Sequence, residues 1–139
     1  MSRMQGKDCT DRLAGYAGID VCKARLDVHV LAAGGGSERG GEAACAVANT
    51  AEGIARLLGE LARRGVGRVA LEPTGRMHLD LWRALDGAGI AVVVLNPRAA
   101  RCFAEALGRL AKTDRVDARV LAEAAARLDL AATPPPTEE

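Results

Sequence analysis

The stretch GYAGIDVCKARLDVHVL, residues 15–31, decides the fold. GYAGIDV reads as a strand, and RLDVHVLA alternates apolar residues at Leu26, Val28 and Val30 with other side chains, the period of a second strand. CKA between them is short enough for a hairpin. On the first strand Tyr16, Gly18 and Asp20 share one face, and Ala17, Ile19 and Val21 share the other. An acid therefore ends a strand whose opposite face is wholly apolar.

Outward from this hairpin, residues 1–13 are polar and irregular and read as a loose N-terminal tail. GGGSERGG is a flexible turn, and AACAVAN after it completes an antiparallel three-stranded meander. The pattern then changes to helical spacing. Asn49 or Thr50 caps a helix carrying Ile54, Leu57, Leu58 and Leu61, which ends at Gly65. RVALE is a short strand, PTG a turn, and Leu79, Leu81, Trp82 and Leu85 mark a helix ending near Gly87 or Gly89. IAVVVLN is a continuous apolar strand of the kind buried on both faces. Pro97 suits the first turn of a helix bearing Ala100, Phe103, Ala104 and Leu107. Gly108 interrupts, and a last helix is expected from about Asp114 to Leu130. The domain is thus expected over residues 14–130, with the proline-rich segment 131–139 as an extended exit.

A meander followed by β-α-β-α predicts an α/β fold, a mixed sheet with helices on both faces. Ribonuclease H-like domains have this order, as do other α/β folds.

Composition narrows the function classes. The 139 residues suffice for one domain with a real core, but Tyr16, Trp82 and Phe103 are the only aromatics. That argues against a base-stacking surface for single strands. The net charge of +1 gives no bulk polyelectrolyte argument for nucleic acid. Locally, Arg98, Arg101, Arg109, Lys112, Arg115 and Arg119 outweigh Glu105, Asp114 and Asp117, a run that is more often a solvated helix face than a phosphate grip. Cys9, Cys22, Cys45 and Cys102 are irregularly spaced, matching neither a disulfide frame nor a zinc site. Without a signal-peptide core or a membrane-length apolar run, the expected location is the cytoplasm.

Glu72 ends the RVALE strand as Asp20 ends the first, each with a small residue two positions earlier on its own face. If those strands are neighbours, the two acids meet. Asp114 and Asp117, spaced i and i+3, share one side of the last helix and could face them. Four carboxylates in one pocket repel one another and raise each other's pKa. A divalent cation relieves that penalty, and hard oxygen donors suit Mg²⁺ or Mn²⁺ better than zinc. Each acid also has a bland role. Asp20 can simply start a turn, Glu72 can face a loop, and Asp114 as N-cap with Asp117 at N3 resembles a capping box. Taken alone, the pair reads as a cap before it reads as a metal site.

In order along the chain, YAGIDVCKARLDVHVL, VALEPTGRMHLDLWRAL, VVVLNPRAARCFAEALG and AKTDRVDARVLAE resemble the N-terminal domain of the DEDD-type insertion-sequence transposases. That group is described as bridge-RNA-guided recombinases and is related to the Piv DNA invertases. The resemblance spans about residues 16–130 and rests on G-I-D-V-x-K, L-E-x-T-G, N-P-R and K-T-D-x-x-D-A in combination. It implies a fold like the RuvC resolvase, four metal-binding acids at Asp20, Glu72, Asp114 and Asp117, and Mg²⁺ or Mn²⁺ as cofactor. DNA, a structured guide RNA and a homo-oligomer of the full-length protein are the implied partners, with no membrane. Lys23, Arg98, Arg101, Lys112 and Arg115 are the candidate nucleic-acid contacts, Thr74 a residue that orients Glu72, and Gly75 a turn residue. The sequence departs from the family at Cys22, where a hydroxyl residue is common, and at Met77, where an aromatic is common. Family members continue into a second domain with a serine that attacks DNA. Here the only serines are Ser2 and Ser37, so the chain is expected to be a fragment, a truncated copy or an isolated domain.

The leading expectation is a metal-dependent DNA-processing domain. Two alternatives stand beside it: a non-catalytic nucleic-acid-binding and assembly module, and an ATP-binding domain of the actin and sugar-kinase type. The last wants glycine soon after the first aspartate, whereas Asp20 is followed by Val-Cys-Lys-Ala. His29 and His78 lack spaced partners and read as structural or exposed, and Trp82 as a core residue.

Overall fold

The computed structural model describes residues 15–31, 42–73, 75–108, 116–128 and 131–136. Strands β1 (Gly15–Val21), β2 (Arg25–Leu31) and β3 (Glu42–Ala48) form the antiparallel meander expected from the opening stretch. Helix α1 (Ala51–Arg63), strand β4 (Val66–Leu71), helix α2 (Leu79–Gly87) and strand β5 (Ala91–Val94) follow. Helices α3 (Pro97–Ala106) and α4 (Ala118–Arg127) complete the described elements. The five strands lie in the order β3-β2-β1-β4-β5, with β4 parallel to β1 and β5 parallel to β4. This is the α/β mixed sheet of a ribonuclease H-like domain. No described helix is long and apolar enough to cross a membrane.

The two faces are built differently. One packs Ile19, Leu26, Val28, Val69 and Leu71 under Ile54, Leu57 and Leu61 of α1 and Leu81, Trp82 and Leu85 of α2. These are large side chains, each worth roughly 1.5–3 kcal/mol when fully buried. The other face sets Ala70, Val93 and Leu95 against Ala100 of α3 and Leu121, Ala124 and Ala125 of α4. Small residues dominate there, and helix and sheet lie close. A Cβ on Gly18 would stand 2.2 Å from both Ala118 O and Ala122 N, so only glycine lets α4 lie on β1 at this point.

Helix ends follow local chemistry. Thr50, not Asn49, caps α1, its Oγ1 accepting from Gly53 N–H at 3.0 Å. Asn49 instead joins three segments: its Nδ2 donates to Cys22 O at 2.9 Å and to Met77 O at 3.3 Å, and its N–H to Ala24 O at 3.1 Å. Asn96 caps α3 through Arg98 N–H and Ala99 N–H, with Pro97 opening the helix as expected.

The last helix corrects the sequence reading. It begins at Ala118, not near Asp114, and Asp117 itself is the N-cap, accepting from Val120 N–H at 3.1 Å. Val116 before the cap and Leu121 in the first turn belong to one apolar cluster, the arrangement of a hydrophobic staple. That packing goes with a cap at Asp117, three residues after the Asp114 cap that the acid spacing suggested. The segment at Thr133 is hydrogen-bonded: its N–H donates to Val92 O at 2.9 Å, and its O accepts from Trp82 Nε1 at 3.1 Å.

Candidate metal centre at the edge of the sheet

Three segments bring acids to one end of the sheet. In the parallel pair, Ile19 of β1 stands beside Leu71 of β4. Asp20 and Glu72 are the next residues of these adjacent strands, on the α4 side with Gly18 and Ala70. Because α4 sits directly on Gly18, its N-cap Asp117 comes down beside the strand end. Asp20 and Asp117 line the same concavity of about 520 Å³, together with Asp27, His29 and Arg119. Glu72 does not line it and lies one strand further across the sheet. Asp114, Lys112, Arg115 and Thr74 fall outside the described residues.

Sequence reasoning missed Asp27. The hairpin register pairs Asp20 with Asp27, and Asp27 with Ala46 on β3. A carboxylate oxygen of Asp20, the Cys22 sulfur and a carboxylate oxygen of Asp27 lie within 4.8 Å of one another. Its signal was already present in RLDVHVL, where Asp27 alternates with the buried Leu26 and Val28 and so faces the same side as Asp20. Arg25 forks onto Asp27, with Nε and a terminal nitrogen at 3.1 and 3.2 Å from its two oxygens.

A band of ion pairs borders the concavity. His29 Nε2 is 3.1 Å from Glu42, Arg119 is 3.6 Å from Glu42, and Glu123 lies buried between Arg119 and Arg127 at 3.5 Å from each. Both histidines therefore have structural settings. His78 is buried and stacked on Trp82 with ring centroids 5.7 Å apart, and burial lowers its pKa.

Of the cations picked out by sequence, Lys23 is exposed on the β1–β2 turn and Arg98 is exposed in the first turn of α3. Arg101 is ion-paired to Glu105 at 3.4 Å, which makes it the least available of the three for phosphate. Gly75 holds φ at +60° in the turn after Glu72, the left-handed conformation for which glycine is suited.

The donor set is mostly hard oxygen, which fits a small divalent cation, and the Cys22 sulfur adds one soft donor. No match to the chain was found among curated proteins. The sequence family of DEDD transposases of the IS110 type, described as transposase, matches residues 17–139, nearly the whole chain. Its span takes in the strand ends and the helix cap that carry the described acids. The chain belongs to the IS110-type DEDD transposase family, a family of DNA transposition.

Proposed function

We propose that this domain is the divalent-metal centre of a DNA transposase, acting on phosphodiesters with Asp20, Glu72, Asp114 and Asp117 as metal-holding acids and Mg²⁺ or Mn²⁺ as the ion. The observation that carries the reading is that Asp20, Asp27 and the cap residue Asp117 line one concavity at the end of the sheet, with Glu72 at the end of the adjacent strand. Converging negative charge is costly beside phosphate and has no use in a module that only grips nucleic acid, whereas a cation makes it favourable.

When bound, the metal supplies charge stabilisation at phosphorus. The chain's own residues then have separate tasks. The cap bond to Val120 N–H fixes the carboxylate of Asp117. Asn49 holds the β1–β2 turn against the turn at Met77, keeping the ends of β1 and β4 in register. Lys23 and Arg98, exposed at the rim, meet DNA phosphates, with Lys112 and Arg115 in the same role. A serine nucleophile on another domain, a guide RNA and a homo-oligomer complete the proposed recombination machinery.

Thermal unfolding with added Mn²⁺ or Mg²⁺ tests the centre. An ion that binds only the folded chain adds about 2.7 kcal/mol at a hundredfold excess over Kd, read as a rise in Tm. Asp20→Asn and Glu72→Gln should abolish that rise. An unchanged Tm at millimolar metal would overturn the reading.

A further inference from the structure

We propose that the groove between the β1–β2 turn, β3 and α1 holds the phosphodiester backbone of the DNA strand next to the carboxylate edge, with Arg56 and Lys23 as its phosphate contacts. The inference rests on the reading of that edge as a DNA-processing centre and adds where the strand runs.

The cations of the domain divide by whether they are committed elsewhere. Among the described residues, Arg25, Arg63, Arg64, Arg83, Arg101, Arg119 and Arg127 each stand in an ion pair, and Arg68 has a partner as well. Lys23, Arg56, Arg76 and Arg98 stand in none among the described residues, and all of them are exposed. Their positions are not scattered. Lys23 follows β1, Arg76 follows β4 and Arg98 follows β5, each just beyond the C-terminal end of a parallel strand. Arg56 lies in the second turn of α1, which starts where β3 ends, and β3 runs in the same direction as β1. The free positive charge therefore rings the same sheet edge at which Asp20 and Glu72 end their strands.

Within this ring a groove of about 690 Å³ opens between Cys22, Ala24, Ala46, Ala48, Arg25 and Arg56. Val47 also lines it, so the groove combines mostly small side chains with two guanidinium groups. Arg25 is turned onto Asp27, which leaves Arg56 as the uncommitted guanidinium of the groove, with Lys23 on the adjoining turn. Acids at the centre and free cations at the rim suit a polyanion whose reacting phosphate sits over the carboxylates. Its neighbouring phosphates then reach the rim. The scarcity of aromatics fits a contact made to backbone and not to bases.

Fluorescence anisotropy with a labelled single-stranded oligodeoxynucleotide, its duplex and the matching oligoribonucleotide tests the proposal on the full chain. The variants are Lys23→Gln with Arg56→Gln, against Arg63→Gln with Arg83→Gln, which removes the same charge from ion-paired positions. All the altered side chains lie on the surface, and circular dichroism confirms folding. The groove variant should bind DNA roughly tenfold more weakly at low salt. Its slope of log K against log salt should fall by roughly 1.4, the loss of two single-strand phosphate contacts. The control variant should match the parent. Equal losses in both variants, no loss in the groove variant, or a loss confined to the oligoribonucleotide would each overturn the assignment. Measuring in chelator and again in Ca²⁺ separates this result from the metal reading. A groove effect without any metal-dependent rise in Tm leaves the track standing and removes the catalytic centre.

Discussion

Gly18 of β1 lies against Ala122 of α4 so closely that a methyl group between them would sit 2.2 Å from the helix backbone. This contact sets the height of α4 over the sheet, and with it the approach of Asp117 to Asp20. Gly18→Ala must push the helix away. The expected cost is about 1–3 kcal/mol or more, since backbone cannot yield as a side chain does. Urea unfolding measures it, and the metal-induced rise in Tm should shrink in the same variant. A fully stable Gly18→Ala protein with parental metal response would contradict the packing described.

Asp117 caps α4, and substitution can separate that task from the proposed metal-holding one. Asparagine caps a helix about as well as aspartate, while alanine costs about 0.5–2 kcal/mol. Asp117→Asn should therefore keep nearly parental stability in the absence of metal and lose the metal response. Asp117→Ala should lose both, as unfolding with and without Mn²⁺ will reveal.

Cys22 puts a sulfur among carboxylate oxygens. Cys22→Ser should leave the response to Mg²⁺ in place and weaken the response to Cd²⁺ or Zn²⁺, because thiolate favours soft ions. Comparing the Tm rises for these ions in both proteins checks the soft donor. A Mg²⁺ response lost together with the sulfur would mean that Cys22 does more than tune ion choice.

His78 should make stability depend on pH. Burial holds its folded pKa below the ordinary 6.5, so the unfolded chain takes up the proton first as pH falls. Stability from this group is complete above about pH 6.5 and declines as pH drops through that value toward the folded pKa. His78→Phe, which keeps a ring against Trp82, should flatten this part of the profile in urea titrations run across it.

The hairpin was legible because alternation and a three-residue connection leave one register, and that register carries Asp20 to its strand end. The same register places Asp27 opposite Asp20, yet reading the alternation only for its apolar face passed over the acid on the other. Adjacency of β1 and β4 was harder, since parallel pairing leaves no local mark and depends on how α1 crosses the sheet. The start of α4 was misplaced because Asp114 and Asp117 both satisfy a capping pattern. Packing of Val116 with Leu121 selects between them, and it lies in tertiary contacts that spacing alone does not express. The distribution of uncommitted cations was equally hidden, because an arginine in sequence does not declare its partner.

The unequal faces of the sheet also order the molecule in time. Large side chains lock α1 and α2 in place, whereas α4 is held through small residues and close backbone contact. α3, however, buries only Ala100 and Ala104, whereas seven of the ten residues of α4 are buried. α3 is therefore the element to detach first in partial opening, and its amides should exchange with solvent ahead of those in α4 and β1. Asp117, at the cap of the better-seated helix, stays beside the strand ends through such openings. An ion captured there would register as slowed exchange in the first turn of α4 while α3 exchanges as before.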